Sequence, residues 1–235
     1  MNKFDIILFD FDDTLWARDT SSESDYLLSR DNILLLNKLA KSNVCTIISG
    51  NAYDTIRKKI EKAVNLADVN FDIWADANSN LYINGKVVKN IESHAITVGD
   101  SWKLTQASFK YNLHSRCEFI GNPTVNVKIK PLTELERSLL CDVINSSGLK
   151  NSIAVATGKT TVDILSTTNT KLNTLDDLEG SILYIGDEVD KGNDKDIACA
   201  CDAYVKVEDV EETNTLLQLL IKKLVADQED NSRGK

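Results

Sequence analysis

Apolar and polar positions along the chain alternate between short, continuous apolar runs and longer segments of helical period. Ile6, Ile7, Leu8 and Phe9 form the first run, Val44-Cys45-Thr46-Ile47-Ile48 the second, and Ile182-Leu183-Tyr184-Ile185 the third. Runs of this length without polar alternation predict parallel strands covered on both faces. After the second run, Tyr53, Ile56, Ile60, Ala63 and Val64 recur at helical spacing. Residues 71–75 predict a further short strand. Residues 80–88 predict a hairpin, because Asn84-Gly85 is the strongest two-residue turn signal. A short helix from Asp194, a strand at 203–207 and a helix near 209–225 follow the third run, leaving 226–235 as a polar, frayed tail.

Between these segments the pattern changes. A helix is expected around 101–113. Residues 116–120 and 124–130 look like antiparallel strands joined through Gly121-Asn122-Pro123. Thr133-Glu134-Leu135-Glu136 has the form of a capping box and opens a helix. Its inner side is expected to carry Leu135, Leu139, Leu140, Val143 and Ile144, and Gly148 ends it. A second strand pair, 153–156 and 161–165, turns around Gly158-Lys159. The middle of the chain thus reads helix, two strands, helix, two strands. The expected organisation is a core domain built from 1–88 and 167–225, an inserted domain at 89–166, and the tail at 226–235.

The ends of the apolar runs carry the candidate chemistry. The first runs into Asp10-Phe11-Asp12-Asp13-Thr14. A strand buried on both faces has no internal use for charge, so these acids emerge at its carboxyl end, where open α/β sheets place their ligands. Of two carboxylates two residues apart, one can attack while the other transfers protons, and a hard divalent cation beside them can hold a phosphate. The second run ends in Ser49-Gly50-Asn51 at a helix amino terminus. A hydroxyl there can donate to a phosphate oxygen, or it can cap the helix. The third ends in Gly186-Asp187-Glu188-Val189-Asp190 and closes on Gly192-Asn193-Asp194. Clustered acids at a strand end repel one another strongly without a cation between them. Lys171 lies between the second and third of these ends.

In this order and at these distances, the four segments resemble the signature of the haloacid dehalogenase (HAD) phosphohydrolase superfamily. The resemblance implies an α/β fold: a Rossmann-like parallel-sheet core with an inserted α/β cap domain of order αββαββ. A large cap between the second and third motifs is similar to subclass IIB, which holds sugar-phosphate phosphatases and phosphomannomutases. It further implies two-step phosphoryl transfer, with Asp10 as nucleophile and Asp12 as acid and base. Mg²⁺ would be held by Asp10, the backbone carbonyl of Asp12 and Asp187, with Asp194, Glu188 or Asp190 in support. Ser49, the Gly50 backbone and Lys171 would hold the phosphate oxygens, and Thr14 would orient the loop. The implied function is hydrolysis of a small phosphorylated metabolite, a sugar phosphate above all. The alternatives are a phosphosugar mutase and a catalytically silent binding module.

Several details lean toward the mutases: Phe71 to Asp76 with the hairpin after it, Cys117-Glu118-Phe119, Thr161-Val162-Asp163 and the long loop from Gly186 to Asp194. Others depart from them. Ile120, Lys128 and Lys130 stand where mutases carry arginines for a distal phosphate, and Asp13 replaces the usual glycine. An ammonium does not reproduce the bidentate fork of a guanidinium. In the strand at 124–130, Asn126, Lys128 and Lys130 alternate with Val125, Val127 and Ile129. Lys128 and Asp163 are accordingly candidates for reading sugar hydroxyls or a second anion, if that polar face roofs the site rather than facing solvent. His94 and His114 have no partners by spacing. Trp16 is either a packing residue or a platform for a substrate ring.

Composition narrows the partners. The chain has 235 residues, 42% of them hydrophobic, and a net charge of −9. That charge argues against a surface for nucleic-acid phosphates. No stretch approaches the roughly 18 to 20 apolar residues of a membrane span. The start runs directly into the first strand, so the expectation is a cytoplasmic protein without a signal peptide. Cys45, Cys117, Cys141, Cys199 and Cys201 are odd in number, and several fall in apolar runs. They are read as reduced core residues.

Overall fold

The structure, a computed structural model, describes residues 4–76, 78–91, 106, 117–120, 125–129, 133–149, 152–157, 161–166, 170–176, 178–190 and 194–233. Strands in these residues are β1 (Ile6–Phe9), β2 (Val44–Ile48), β3 (Asp72–Ala75), β4 (Asn80–Ile83), β5 (Lys86–Asn90), β6 (Cys117–Ile120), β7 (Val125–Ile129), β8 (Ser152–Thr157), β9 (Thr161–Ser166), β10 (Ile182–Gly186) and β11 (Ala203–Lys206). Helices are α1 (Glu23–Leu39), α2 (Tyr53–Ile60), α3 (Glu134–Ser146), α4 (Lys195–Ala200) and α5 (Val210–Arg233), with 3₁₀ turns at Leu66–Asp68 and Lys171–Leu175.

Seven strands form one sheet in the order β11-β10-β1-β2-β3-β4-β5. The first five in that order run parallel, and β4 and β5 add an antiparallel hairpin. Its turn places Asn84 and Gly85 at φ of 50° and 74°, the left-handed pair that an Asn-Gly turn demands. Central β1 is buried on both faces, and its side chains divide between two cores. Ile7 and Phe9 pack with Ile33 and Leu36 of α1, Ile56 of α2 and Leu217 of α5. Ile6 and Leu8 pack with Ile48, Trp74, Tyr184 and Ile197 of α4. Each such side chain contributes about 1.5–3 kcal/mol on burial, which is why β1 reads as an unbroken apolar run.

The second sheet is antiparallel throughout, in the order β6-β7-β9-β8. The two strand pairs expected from the sequence are therefore one sheet, joined by β7 and β9. The expected helix at 101–113 lies outside the described residues except for Gln106, which is helical. The capping box of α3 is formed, with Thr133 Oγ1 accepting from Glu136 N at 3.2 Å and Glu136 Oε2 accepting from Thr133 N at 2.9 Å. The expected inner face of α3 needs correction. Leu140, Cys141 and Ile144 are buried, whereas Leu135 and Leu139 are exposed. At about 100° per residue these two leucines lie on the far side of the helix from the buried stripe.

One element was not anticipated, and two further expectations change. α1 escaped the apolar pattern because its buried side includes Ser29 and Asn32, both fully buried, beside Ile33, Leu36 and Leu39. The segment after residue 225 is helical to Arg233 rather than frayed; without Gly or Pro before Gly234, each further residue adds a helical hydrogen bond. Of the cysteines, Cys45 and Cys141 are buried, but Cys199 is exposed and Cys201 half-buried. Burial pushes the Cys45 thiol up to about 12. Among the described residues, no helix is long and apolar enough to cross a membrane.

Asn32 joins α1 to α5. Its Nδ2 donates to Val210 O at 2.9 Å and its Oδ1 accepts from Asn214 Nδ2 at 3.0 Å. Asn32→Ala takes the acceptor from the buried Asn214 amide and a donor from Val210 O, and leaves a cavity between the helices. It should lower unfolding stability by about 1–3 kcal/mol in urea denaturation, with an unchanged m value. Wild-type stability in this variant would contradict the linkage.

Candidate active site

Three adjacent parallel strands end at one place. β1 delivers Asp10, whose N–H is held by Ile185 O at 2.8 Å; β2 delivers Ser49, whose N–H is held by Trp74 O at 3.0 Å; β10 delivers Asp187 after Gly186. The chain leaves β1 for β2 on one side and reaches β10 on the other, and such reversals of strand order open a crevice at the carboxyl ends. Lys171 enters from the 3₁₀ turn that it begins. Thr170 caps that turn, with Asn173 Oδ1 accepting from Thr170 N at 3.0 Å and Oγ1 at 2.8 Å. Asp194 directly precedes α4.

Lys171 ties these residues together. Its buried Nζ lies 2.5 Å from Asp10 Oδ1 and 2.5 Å from Asp194 Oδ1, and 3.3 Å from the Tyr184 hydroxyl. Carboxylate oxygens of Asp10, Asp187 and Asp194 all lie within 4.8 Å of one another. Of the three acids expected to support a cation, Asp194 is the one gathered here, while exposed Asp190 pairs with Lys206 at 3.2 Å. Gly186 makes room for it: a Cβ there would stand 2.9 Å from Asp194 Oδ2 and 2.9 Å from the Tyr184 ring. Beside Gly50 a Cβ would meet nothing within 4 Å, so the loop after β2 borders open space.

The electrostatics follow from burial and crowding. Burial pushes the Asp10 carboxyl well above the usual range, Asp194 and Asp187 add to this, and Lys171 opposes it. Asp187 is pushed up to about 6, by burial first and then by Asp194, Glu188 and Asp13. Burial works against the Lys171 charge, but Asp10 and Asp194 outweigh it and hold the ammonium well above its ordinary value. Three converging carboxylates balanced by one ammonium carry an excess of negative charge. Their oxygens are hard donors gathered at one place, the ligand type that a Mg²⁺ ion would take. The residues present therefore fit a divalent cation.

The turn after β1 is tightly made. Leu15 N and Trp16 N donate to Phe11 O at 3.0 and 2.9 Å, and Asp13 N donates to Trp16 O at 2.8 Å. Asp13 sits at φ 58°, a conformation that favours glycine and that Asp tolerates better than most residues. Its carboxylate accepts from Arg18 N at 2.9 Å and lies 3.5 Å from the Arg18 guanidinium. This bracing holds a residue other than glycine in that conformation. Trp16 is buried and edge-on to Tyr26 at 6.2 Å, so it packs rather than presenting a platform.

Asp12 takes partners different from those of Asp10. Lys59 Nζ of α2 lies 2.9 Å from its Oδ1, and Asn51 Nδ2 donates to its Oδ2. Neither Lys59 nor Asn51 was singled out in the sequence. Asn51 was visible as the neighbour of Ser49-Gly50, but Lys59 flanks the buried Ile56–Ile60 stripe and reads as a solvated helix lysine. Asp76, at φ 55°, holds the same loop: it accepts from Tyr53 N at 2.9 Å, Asn80 Nδ2 at 2.8 Å and Tyr82 OH at 2.6 Å, and its N–H donates to Asn51 O at 2.8 Å. Ser49 Oγ accepts from Asn51 N at 3.1 Å, which leaves its own hydrogen to donate.

The backbone register pairs Lys128 with Thr161 and Asn126 with Asp163, placing these four on one face of the second sheet. Val127 pairs with Val162 on the other face, where Val162 is fully buried. The side chains of Lys128 and Asp163 lie outside the described residues, as do His94 and His114.

No protein-family model and no curated protein sequence matches this chain. Solved structures do. The IMP-bound IMP-nucleotidase of Plasmodium falciparum aligns with a TM-score of 0.67 at 14% identity, over 93% of this chain and 68% of that one. The C-terminal domain of trehalose-6-phosphate phosphatase from C. albicans aligns at 0.64 and 13% identity, over 92% and 91%. A trehalose-6-phosphate phosphatase related protein aligns at 0.58 and 14%, over 94% and 99%. At such identities the likeness is one of fold.

Adding Mg²⁺ to metal-free protein should raise its melting temperature by relieving the repulsion among Asp10, Asp187 and Asp194. At a hundredfold excess over Kd the gain is about 2.7 kcal/mol. Asp187→Ala should lose most of this shift. A wild-type melting temperature indifferent to Mg²⁺ would remove the cation from the account.

Proposed function

We propose that this chain, which has the fold of the haloacid dehalogenase phosphohydrolases, is a Mg²⁺-dependent phosphatase acting on a small phosphorylated metabolite, with a sugar phosphate the leading class. One observation carries the reading: Asp10, Asp187 and Asp194 converge around a buried Lys171, with Asp12 two residues beyond Asp10. A nucleophile, an acid, cation ligands and an ammonium for phosphate oxygens are thereby within reach of one another. The neighbours in fold named as a nucleotidase and as trehalose-6-phosphate phosphatases support the same chemistry.

Asp10, Asp187, Asp194 and the backbone carbonyl of Asp12 would hold the cation, which supplies charge neutralisation at the phosphate. Asp10 attacks phosphorus and becomes an aspartyl phosphate as the alcohol leaves. Asp12 gives its proton to the departing oxygen and then takes one from the water that hydrolyses the intermediate. Lys171 and the Ser49 hydroxyl hold non-bridging oxygens, and the Gly50 backbone lies against the open space the phosphate would enter. Positioning and charge balance are the main protein contributions to such a transfer. The buried setting of Lys171 strengthens its share, because water does not screen it there.

The segment 89–166 is read as a cap inserted in the core, with the strand face of Lys128 and Asp163 selecting the substrate. As read, that segment begins at the last two residues of β5, which runs to Asn90. A mutase reading remains as the alternative. Lysines in place of a guanidinium pair weaken it, because retaining a bisphosphate needs firm hold of the distal phosphate.

Asp10→Asn should abolish phosphate release from p-nitrophenyl phosphate while leaving the circular dichroism spectrum unchanged, since the amide keeps the shape but forms no acyl phosphate. Wild-type activity should disappear in EDTA and return with Mg²⁺. A panel of phosphorylated metabolites scored by phosphate release then ranks substrates. Asp10→Asn retaining a tenth of wild-type turnover would assign the chemistry elsewhere.

A further inference from the structure

Asp12 stands outside the carboxylate cluster, and its two oxygens are held separately. Lys59 Nζ reaches Oδ1 at 2.9 Å while lying 5.1 Å from the Phe11 ring centroid, and Asn51 Nδ2 donates to Oδ2. The Lys59 and Asp12 side chains are 23% and 21% exposed, so solvent screens the pair only in part. Asn51 is itself fixed at both backbone groups, donating to Ser49 Oγ at 3.1 Å and accepting from Asp76 N at 2.8 Å. Donors on different oxygens stop the carboxylate from rotating and leave each oxygen a lone pair for other partners.

We propose that Lys59 and Asn51 are positioning residues that hold the Asp12 carboxyl group in the orientation from which it exchanges protons with leaving group and water. The proposal rests on the phosphatase reading. In the first half-reaction the bond from Asp10 Oδ to phosphorus forms as the bond from phosphorus to the alcohol oxygen breaks, and the Asp12 proton passes to that oxygen. In the second, a water oxygen bonds phosphorus as the Asp10 oxygen departs, and a water proton returns to Asp12. Proton transfer of this kind depends on the carboxyl group standing within hydrogen-bond reach and correctly aimed. A poor leaving group needs that proton, whereas p-nitrophenolate leaves without it. Loss of aim therefore has a signature that loss of folding or of phosphate binding lacks.

The test compares kcat/KM on phenyl phosphate and p-nitrophenyl phosphate with Mg²⁺, for wild type, Lys59→Met, Lys59→Arg and Asn51→Ala. Lys59→Met and Asn51→Ala should lose at least about tenfold more on phenyl phosphate than on the nitrophenyl ester. Lys59→Arg should recover most of that difference, and all four proteins should melt at similar temperatures. Equal losses on both esters, or none, would overturn the positioning role while leaving the phosphatase reading in place. Wild type inactive on both esters would overturn the phosphatase reading, and this proposal with it.

Discussion

The site depends on a single buried ammonium. Lys171 is nearly inaccessible to solvent and bridges Asp10 and Asp194, whose carboxylates would otherwise face each other and Asp187 in a poorly hydrated pocket. Removing one partner from a buried ionic group typically costs about 3–5 kcal/mol, because the remaining charge stays buried without compensation. Here the remaining charges would be like charges, and burial already pushes Asp10 and Asp187 upward. The ammonium therefore serves stability and chemistry together. It keeps the acids gathered, and under the proposed function it supplies positive charge to a phosphate dianion.

Around that contact the scaffold acts mainly by leaving space and fixing angles. Gly186 has no side chain because Asp194 and Tyr184 occupy the position a Cβ would take. Asp13 accepts a left-handed backbone so that the chain can turn back on Phe11, and Arg18 braces it. Asp76, also left-handed, collects three donors and ties the loop after β2 to the start of α2. None of these residues is proposed to touch phosphorus. Each sets where Asp10, Asp12, Ser49 or Asp194 can stand.

Much of this was legible in the sequence wherever burial writes a plain pattern. The runs at 6–9, 44–48 and 182–185 announced β1, β2 and β10, and the residues ending them are ones the fold brings together as a candidate site. Asn84-Gly85 announced the hairpin. α1 was not legible, because Ser29 and Asn32 satisfy their hydrogen bonds inside the fold and interrupt the apolar stripe. Leu135 and Leu139 misled in the opposite direction, being leucines on a solvent-facing side of α3. Lys59 was illegible for another reason. Its partner lies 47 residues earlier, and only the packing of α2 beside the end of β1 brings the two charges together.

The central claim is that Asp10 carries the phosphoryl group between two chemical steps. Borohydride reduction of the acid-quenched enzyme during turnover of p-nitrophenyl phosphate, followed by peptide mass spectrometry, tests it most directly. An acyl phosphate at Asp10 is reduced to homoserine, so the account predicts that mass change at residue 10 in the presence of Mg²⁺ and its absence in EDTA. Reduction product at another residue, or none while phosphate is being released, would contradict it.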